Sequence, residues 1–221
     1  MRKLNTHTRT KAGLAALLTA TALALTACGS DSTSGDDKEI DGAKKATKSA
    51  TPSASPSDDG IKRPKITLPS DVHNVFEGRE TGDPKKDAVL ADNERAINSI
   101  DEAITSDSPK HPGVKFYSKG DALASAAEYI KSFYDAGVTF TGTTRYYNRK
   151  VTFLKDSAAA VTYCSDETKA YSKDRKTKKV KKGAPSAKDY VFYNERMEKN
   201  ESGVWQSARV ISEEAAKQCQ P

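Results

Sequence analysis

Two stretches of the chain carry apolar residues at the spacing of an amphipathic helix. Those of the first are Leu90, Ile97, Ile100 and Ile104. Those of the second are Leu123, Ala126, Ala127, Ile130, Phe133 and Tyr134. Asp83 and Pro84 suit a helix start, so the first helix is predicted from Pro84 to about Thr105. The second is predicted to begin at a capping-box pattern in residues 118–121 and to end at Gly137.

After Gly137 the pattern changes to short runs of β-branched and aromatic residues separated by turn residues, which is typical of strands. The predicted strands are residues 138–144, 146–154, 158–165, 189–198 and 204–212. Helices followed by consecutive antiparallel strands predict an α+β domain. Its two N-terminal helices would pack on a curved antiparallel sheet of about five strands.

The N-terminus has the pattern of a bacterial export signal, with a basic leader followed by an apolar run over residues 12–25. That run is shorter than the about 20 residues that a membrane-spanning helix needs. It ends at Leu25-Thr26-Ala27-Cys28, a lipobox, in which the cysteine receives a diacylglyceryl group before cleavage. The pattern predicts a signal peptide over residues 1–27 and a chain anchored through Cys28 to the outer face of the cytoplasmic membrane. The alternative is a plain secretory signal.

Residues 28–83 are rich in Ser, Thr, Lys, Asp, Gly and Pro. Such a segment buries too little apolar surface to offset its ordering entropy, so it is predicted to be a lipidated, largely disordered tether. Only residues 68–76, which include four apolar side chains, are expected to pack on the domain's surface. Residues 84–221 are the predicted folded domain.

Removal of the leader changes the charge of the chain. The whole sequence has 36 Lys and Arg against 30 Asp and Glu, a net charge of +6. Residues 1–27 contain basic but no acidic side chains, so the mature chain carries only about +2. The net charge therefore gives no reason to expect a nucleic-acid partner.

Cys164 and Cys219 are the cysteines that remain once Cys28 carries lipid. Outside the membrane the compartment is oxidising, so a disulfide between them is predicted. A reactive thiol or a metal site are the alternatives. Neither a Cys-x-x-Cys motif nor a cluster of histidines supports them, and no metal or cofactor is expected.

Three segments of the domain resemble those of uncharacterised actinobacterial secreted lipoproteins: RYYNRKVT at 145–152, TYCSDE at 162–167 and GVW at 203–205. The order of helices and strands in turn resembles the nuclear transport factor 2-like cone, which polyketide cyclases and ketosteroid isomerase also use. The resemblance implies a cavity between helix and sheet. The candidate lining residues are aromatic: Tyr146, Tyr147, Tyr163, Tyr190, Phe192, Tyr193 and Trp205. Alternatively, these side chains fill the core.

Enzymes of the cone fold need a base that faces a hydrogen-bond donor. Asp166 beside Tyr163 is the nearest candidate, but it is expected in a solvated turn. His73 lies in the predicted tether and His111 in the helix connection. The sequence thus favours a non-enzymatic binding or interaction module at the cell envelope. The alternative is a cone-fold isomerase or cyclase that acts on a small apolar molecule, and a carboxylate with a raised pKa in an enclosed pocket would favour it.

A basic run stands out in the nearly neutral mature chain. Its members are Lys173, Arg175, Lys176, Lys178, Lys179, Lys181 and Lys182. A solvated loop is the ordinary interpretation of such a run. The functional interpretation is contact with anionic lipid headgroups or anionic wall polymers. No protein partner can be named from the sequence.

Overall fold

The computed structural model describes residues 59–108, 110–155 and 157–221. The predicted signal peptide, the lipobox residues Leu25, Thr26 and Ala27, and Cys28 lie outside these residues, so export and lipidation stay predictions. In the described part, none of the helices combines the length and the apolar character needed to cross a membrane.

The described residues form a mixed α+β domain with three helices and six strands. The elements are β1 (Val72–Phe76), α1 (Pro84–Thr105), α2 (Pro112–Tyr117), α3 (Gly120–Asp135), β2 (Val138–Lys155), β3 (Ala158–Asp174), β4 (Val180–Lys181), β5 (Tyr190–Lys199) and β6 (Trp205–Glu214). The sheet order is β1-β2-β3-β5-β6, with β4 paired to β3. β1 pairs parallel to β2, and the other pairs are antiparallel.

Helix α1 has the predicted bounds. The Asp83 carboxylate accepts hydrogen bonds from the backbone N–H groups of Lys85 at 2.9 Å and Lys86 at 3.4 Å, which satisfies donors that a helix start leaves unpaired. The capping box predicted for α3 is wrong, because Lys119 is its N-cap and makes no side-chain cap. Gly137 follows α3 with a φ of 65°, the left-handed conformation predicted for it.

The structure has one helix, α2, and two strands, β1 and β4, that the pattern did not indicate. Helix α2 is six residues long, too short to display a helical period. Strand β1 lies in the segment predicted as tether, where its residues alternate between buried and exposed positions. The folded part of the chain therefore begins before Pro84.

Residues 59–71 also belong to the folded part and run beside α1. The Arg63 guanidinium contacts the carboxylate of Asp59 at 2.6 Å and that of the buried Asp92 on α1 at 3.4 Å. Farther along, the backbone N–H of Thr67 donates to Glu102 on α1 at 2.7 Å. This segment is thereby fastened to α1 at two positions.

The sheet is curved, and its long strands are interrupted by bulges. Residues 138–144 and 146–154, predicted as two strands, form the single strand β2, whose register shifts between Thr143 and Arg145. Next to this shift, Gly142 has a φ of 101°, and a Cβ there would lie 2.1 Å from the backbone oxygen of Lys169. Bulges of this kind bend a strand and increase its twist.

The helices pack on one face of the sheet. The main core combines Leu90 of α1 with Tyr146, Val161, Met197 and other inward-facing strand residues. On the opposite face, Cys164 of β3 and Cys219 form a disulfide with Cα atoms 5.5 Å apart, as the sequence predicted. The disulfide fastens the segment after β6 to the middle of the sheet.

Candidate functional site

A cavity of about 120 Å³ lies between α1, α3 and the sheet. Its walls come from α1, α3, β2, β3, β5 and β6. The lining residues that carry polar groups are Asp101, Ser118, Ser125, Tyr129, Tyr146, Tyr163, Glu167, Tyr193, Glu195 and Ser207. Small side chains on the helices, those of Ala96, Ala122 and Ala126, leave the space open.

Two buried acids line the cavity, Asp101, which accepts a hydrogen bond from Asn74 Nδ2 at 2.7 Å, and Glu195. Glu195 lies on β5 and is only 2% exposed. Its Oε2 accepts hydrogen bonds from Asn93 Nδ2 at 2.8 Å and from the Tyr163 hydroxyl at 3.2 Å. Burial raises the pKa of the Glu195 carboxyl to about 7, although its hydrogen bonds and the Arg149 charge act in the opposite direction. The carboxyl can therefore be protonated or ionised near neutral pH.

The tyrosines beside Glu195 are strong candidates for hydrogen-bond donors. Burial, and next the Glu195 charge, raise the pKa of Tyr163 well above its usual value. Burial raises the pKa of Tyr193 in the same way. Their rings stack with centroids 4.8 Å apart, which holds both side chains in place. Both hydroxyls are therefore protonated across the physiological pH range.

Two serine hydroxyls of the cavity lack hydrogen-bond partners. Among the described residues, Ser118 Oγ and Ser207 Oγ are buried and unpaired. Ser118 ends α2, and its backbone bridges to that of Ser207 on β6, so the two residues lie side by side. The Ser207 hydroxyl lies close enough to Glu195 to favour the ionised carboxylate, though it is outside normal hydrogen-bond geometry. Unpaired buried hydroxyls cost free energy that a bound polar group would recover.

A charged network lies behind Glu195. The Arg149 guanidinium is fully buried and contacts Glu94 at 2.5 Å. It also donates to Asn93 Oδ1 at 3.2 Å, and Arg79 contacts the other oxygen of Glu94 at 2.8 Å. Because Asn93 bonds to both Arg149 and Glu195, the network fixes the amide that holds the Glu195 carboxyl.

Comparisons with known proteins identify similar folds at low identity. No family model and no curated protein matches the chain. A ketosteroid isomerase-like protein from Erwinia carotovora atroseptica matches over 61% of this chain and 98% of its own, with 16% identity and a TM-score of 0.41. A proposed ketosteroid isomerase from Shewanella frigidimarina covers 63% and 100%, with 11% identity and a TM-score of 0.32. The intermembrane space region of chloroplast protein ARC6 covers 59% and 95%, with 10% identity and a TM-score of 0.37. With TM-scores below 0.5, these similarities carry no argument about function.

The structure divides the predicted aromatic lining into three groups. Tyr146, Tyr163 and Tyr193 line the cavity. Tyr147 and Tyr190, with Phe192, pack around the disulfide on the other face of the sheet. Trp205 belongs to the main core. Successive strand residues point to opposite faces, which separates Tyr146 from Tyr147.

The predicted base and the two histidines lie elsewhere. Asp166 was expected in a turn, but it is within β3, where it pairs with Arg145 at 3.5 Å and accepts from Thr168. It does not line the cavity. His73 is exposed on β1 and His111 precedes α2. No group of His, Cys, Asp or Glu among the described residues could hold a metal ion.

Sequence reasoning missed Glu195, although the strand carried a signal for it. Val191, Tyr193, Glu195 and Met197 alternate along β5, and a period of two places them on one face. Val191 and Met197 are fully buried, so the glutamate between them had to be inside. A charged residue at an inward-facing position is rare unless it is paired or functional.

The basic run lies at the β3–β4 hairpin and has two kinds of member. Lys173 pairs with Asp71 at 2.7 Å, and Arg175 lies 3.8 Å from the centroid of the Tyr134 ring and donates to the backbone oxygen of Ile104. The remaining members are exposed: Lys176, Lys178, Lys179, Lys181 and Lys182. Lys173 and Arg175 thus fasten the hairpin to the domain, and the exposed Lys178 adds an ion pair with Asp107 at 3.7 Å.

Proposed function

We propose that this chain is a lipid-anchored envelope protein whose cavity binds a small, largely apolar molecule that carries one hydrogen-bonding group. The observation that carries the proposal is the buried Glu195 carboxyl beside the unpaired hydroxyls of Ser118 and Ser207. A ligand with one polar group would give these hydroxyls a partner, while its apolar part would contact Ala122, Ala126 and the tyrosine rings.

The size of the cavity limits the ligand. A dry cavity of about 150 Å³ in another protein binds benzene, and the cavity here measures about 120 Å³. A single ring or a short branched chain therefore fits, and a larger ligand would have to extend through the open mouth. Glu195 can donate to the ligand when protonated and accept from it when ionised.

The binding test uses phenol and toluene, two single-ring molecules. Phenol carries a hydroxyl group where toluene carries a methyl group. We expect phenol to bind more tightly than toluene, and Ser207→Ala to weaken phenol about fivefold, the equivalent of ~1 kcal/mol for one hydrogen bond. Toluene should bind the variant as it binds the natural chain. Titration calorimetry or ligand-observed NMR gives the affinities.

A second pair of variants tests the location. Ala126 is buried at the cavity and Ala127 is exposed on the same helix. Ala126→Leu should fill the cavity and abolish phenol binding, whereas Ala127→Leu should leave it unchanged. Equal affinities in the two variants would refute the proposed site.

Proton transfer is the second candidate function, and the pKa of Glu195 favours it. A carboxyl that titrates near pH 7 suits a general acid or base. The unpaired hydroxyls of Ser118 and Ser207 would then stabilise charge on a substrate oxygen. The test follows deuterium uptake at the carbon beside the carbonyl of cyclohexanone in D₂O by NMR. Catalysis should be lost in Glu195→Gln, and a rate equal to that of buffer for the natural chain would exclude this function for that substrate.

We also propose that the exposed lysines of the β3–β4 hairpin contact anionic wall polymers. Their exposure supports the proposal, and Lys173 and Arg175, which have partners in the domain, take no part in it. Charge reversal of Lys178, Lys179, Lys181 and Lys182 should abolish sedimentation with wall fragments. Unchanged sedimentation would contradict the contact.

A further inference from the structure

The far end of the β2–β3 hairpin exposes apolar side chains. Phe153 is 37% exposed and Leu154 is 49% exposed. They lie beside the Trp205 ring, whose centroid is 6.2 Å from that of Phe153. Exposed neighbours of this size are unusual, since large side chains at a strand end are ordinarily covered.

Lysines surround this apolar group. Lys85 at the start of α1, Lys155 on β2 and Lys199 on β5 line the same depression. The Lys199 ammonium group lies 5.9 Å from the centroid of the Trp205 ring. None of the described residues that line the depression is acidic. We call Phe153, Leu154 and these three lysines the tip patch, and the Trp205 ring, which is only 4% exposed, lies beneath it.

The folded part of the chain begins at the same end of the sheet. Lys199 and Trp205 face each other across the turn between β5 and β6. Next to that turn, Asp59 lines a shallow depression with Val204, and Ile61 packs in the same cluster as Val204. The residues that lead back toward Cys28 therefore leave the domain beside the tip patch.

We propose that the tip patch lies on the anionic surface of the membrane that carries the predicted Cys28 anchor. Aromatic and aliphatic side chains rimmed by lysines suit the boundary between headgroups and acyl chains. Each lysine near an anionic surface contributes about 1 kcal/mol. For the tether predicted from the sequence, about 30 residues between Cys28 and Asp59 correspond to a mean extension of about 30 Å, which keeps the patch within reach of the bilayer.

The exposed lysines of the β3–β4 hairpin lie at the other end of the sheet. β2 and β3 have 18 and 17 residues, and Val138 pairs with Asp174 at that end. Strands of this length separate the two ends by up to about 50 Å. A flat bilayer that touches the tip patch therefore leaves that hairpin facing away from the membrane. This inference depends on the predicted lipidation and not on the ligand of the cavity.

The experiment uses the lipidated chain, in detergent and then in vesicles of phosphatidylcholine with or without phosphatidylglycerol. Lysines are acetylated briefly, and mass spectrometry measures the rate at each site. We expect Lys155 and Lys199 to react about fivefold more slowly on anionic vesicles, the factor that corresponds to ~1 kcal/mol. Lys179 and Lys181 should react at the same rate in all three conditions.

Two double variants test whether the protection of Lys199 depends on the tip patch or on exposed apolar side chains in general. Phe153→Ser with Leu154→Ser should remove the protection of Lys199, while the lipid still holds the chain on the vesicle. The control is Val75→Ser with Ile211→Ser, two apolar residues on the edge strands β1 and β6 that are 43% and 56% exposed. It should leave the protection intact.

Several results would overturn the proposal. Equal rates at both ends, or protection of Lys179 in place of Lys199, would mean that the tip patch does not lie on the bilayer. Protection that follows protein density and not phosphatidylglycerol content would assign the patch to a second copy of this chain. An intact mass without a diacylglyceryl group on Cys28 would remove the tether on which the inference rests.

Discussion

Replacement of Glu195 by glutamine should change how the stability of the domain depends on pH. The ordinary pKa of a glutamate is 4.5, and burial raises that of Glu195 to about 7 in the folded chain. Below pH 4.5 the carboxyl is protonated in both the folded and the unfolded chain. Between pH 4.5 and pH 7 the carboxyl stays protonated in the folded chain but loses its proton in the unfolded chain. The free energy of unfolding therefore falls as the pH rises. Above pH 7 the full loss, about 3 kcal/mol, has occurred.

The side chain of glutamine is neutral at every pH, so the variant does not lose unfolding free energy as the pH rises. Relative to the natural chain, Glu195→Gln should gain about 2 to 3 kcal/mol of unfolding free energy between pH 5 and pH 8. Urea denaturation followed by circular dichroism at a series of pH values measures this difference. The control is Glu213→Gln, which removes the same formal charge from an exposed position on β6. A difference between Glu195→Gln and the natural chain that stays constant with pH would refute the reasoning.

Three further substitutions test other parts of the structure by urea denaturation. Cys164→Ser opens the loop of 55 residues that Cys219 closes, and should cost about 4 kcal/mol in the chain-entropy account. Gly142→Ala places a Cβ against a backbone oxygen at 2.1 Å and at a φ of 101°, so the variant should lose at least about 2 kcal/mol. Arg149→Met leaves the buried Glu94 carboxylate with the partly exposed Arg79 as its arginine partner, and should cost about 3 kcal/mol.

Each of these has a control. In dithiothreitol, which reduces the disulfide of the natural chain, Cys164→Ser should be as stable as the natural chain. If the variant lost the same unfolding free energy with and without dithiothreitol, the disulfide would not be the cause of the loss. Gly78→Ala also has a positive φ, but nothing lies within 4 Å of its Cβ, so a loss as large as that of Gly142→Ala would refute the steric argument. Arg145→Met removes a 40% exposed arginine from the same strand as Arg149, and equal costs would contradict the effect of burial.

Local signals made parts of the fold predictable. Helix α1 combines a capping Asp83 with a helical period, and both act over a few residues, so its bounds were correct. Strand β1 has its partner far along the chain, since Val72 pairs with Gly142, and no short-range pattern reports a parallel pairing of that kind. The bulge near Thr143 lies where the sequence predicted a break, because a locally irregular strand resembles a strand end.

The cavity was harder to predict because it depends on which face each residue occupies. The tyrosines were recognised by their type, but only alternation along the strands separates Tyr146 and Tyr163 from Tyr147 and Tyr190. Glu195 was not singled out within its predicted strand, although Val191 and Met197 on the same face are apolar and buried. The two unpaired serines could not be foreseen, since their environment depends on how α2 meets β6.

The fastening of residues 59–71 to α1 determines where mechanical load enters the domain. Force applied through the residues before Asp59 reaches Arg63 first, and Arg63 transmits it to Asp92 in the body of α1. The contact between Thr67 and Glu102 adds a second attachment to the same helix. The load therefore passes into a helix packed on the sheet before it reaches the hydrogen bonds of β1. A force on the N-terminal side of the domain is therefore less able to separate the edge strand β1 from the sheet.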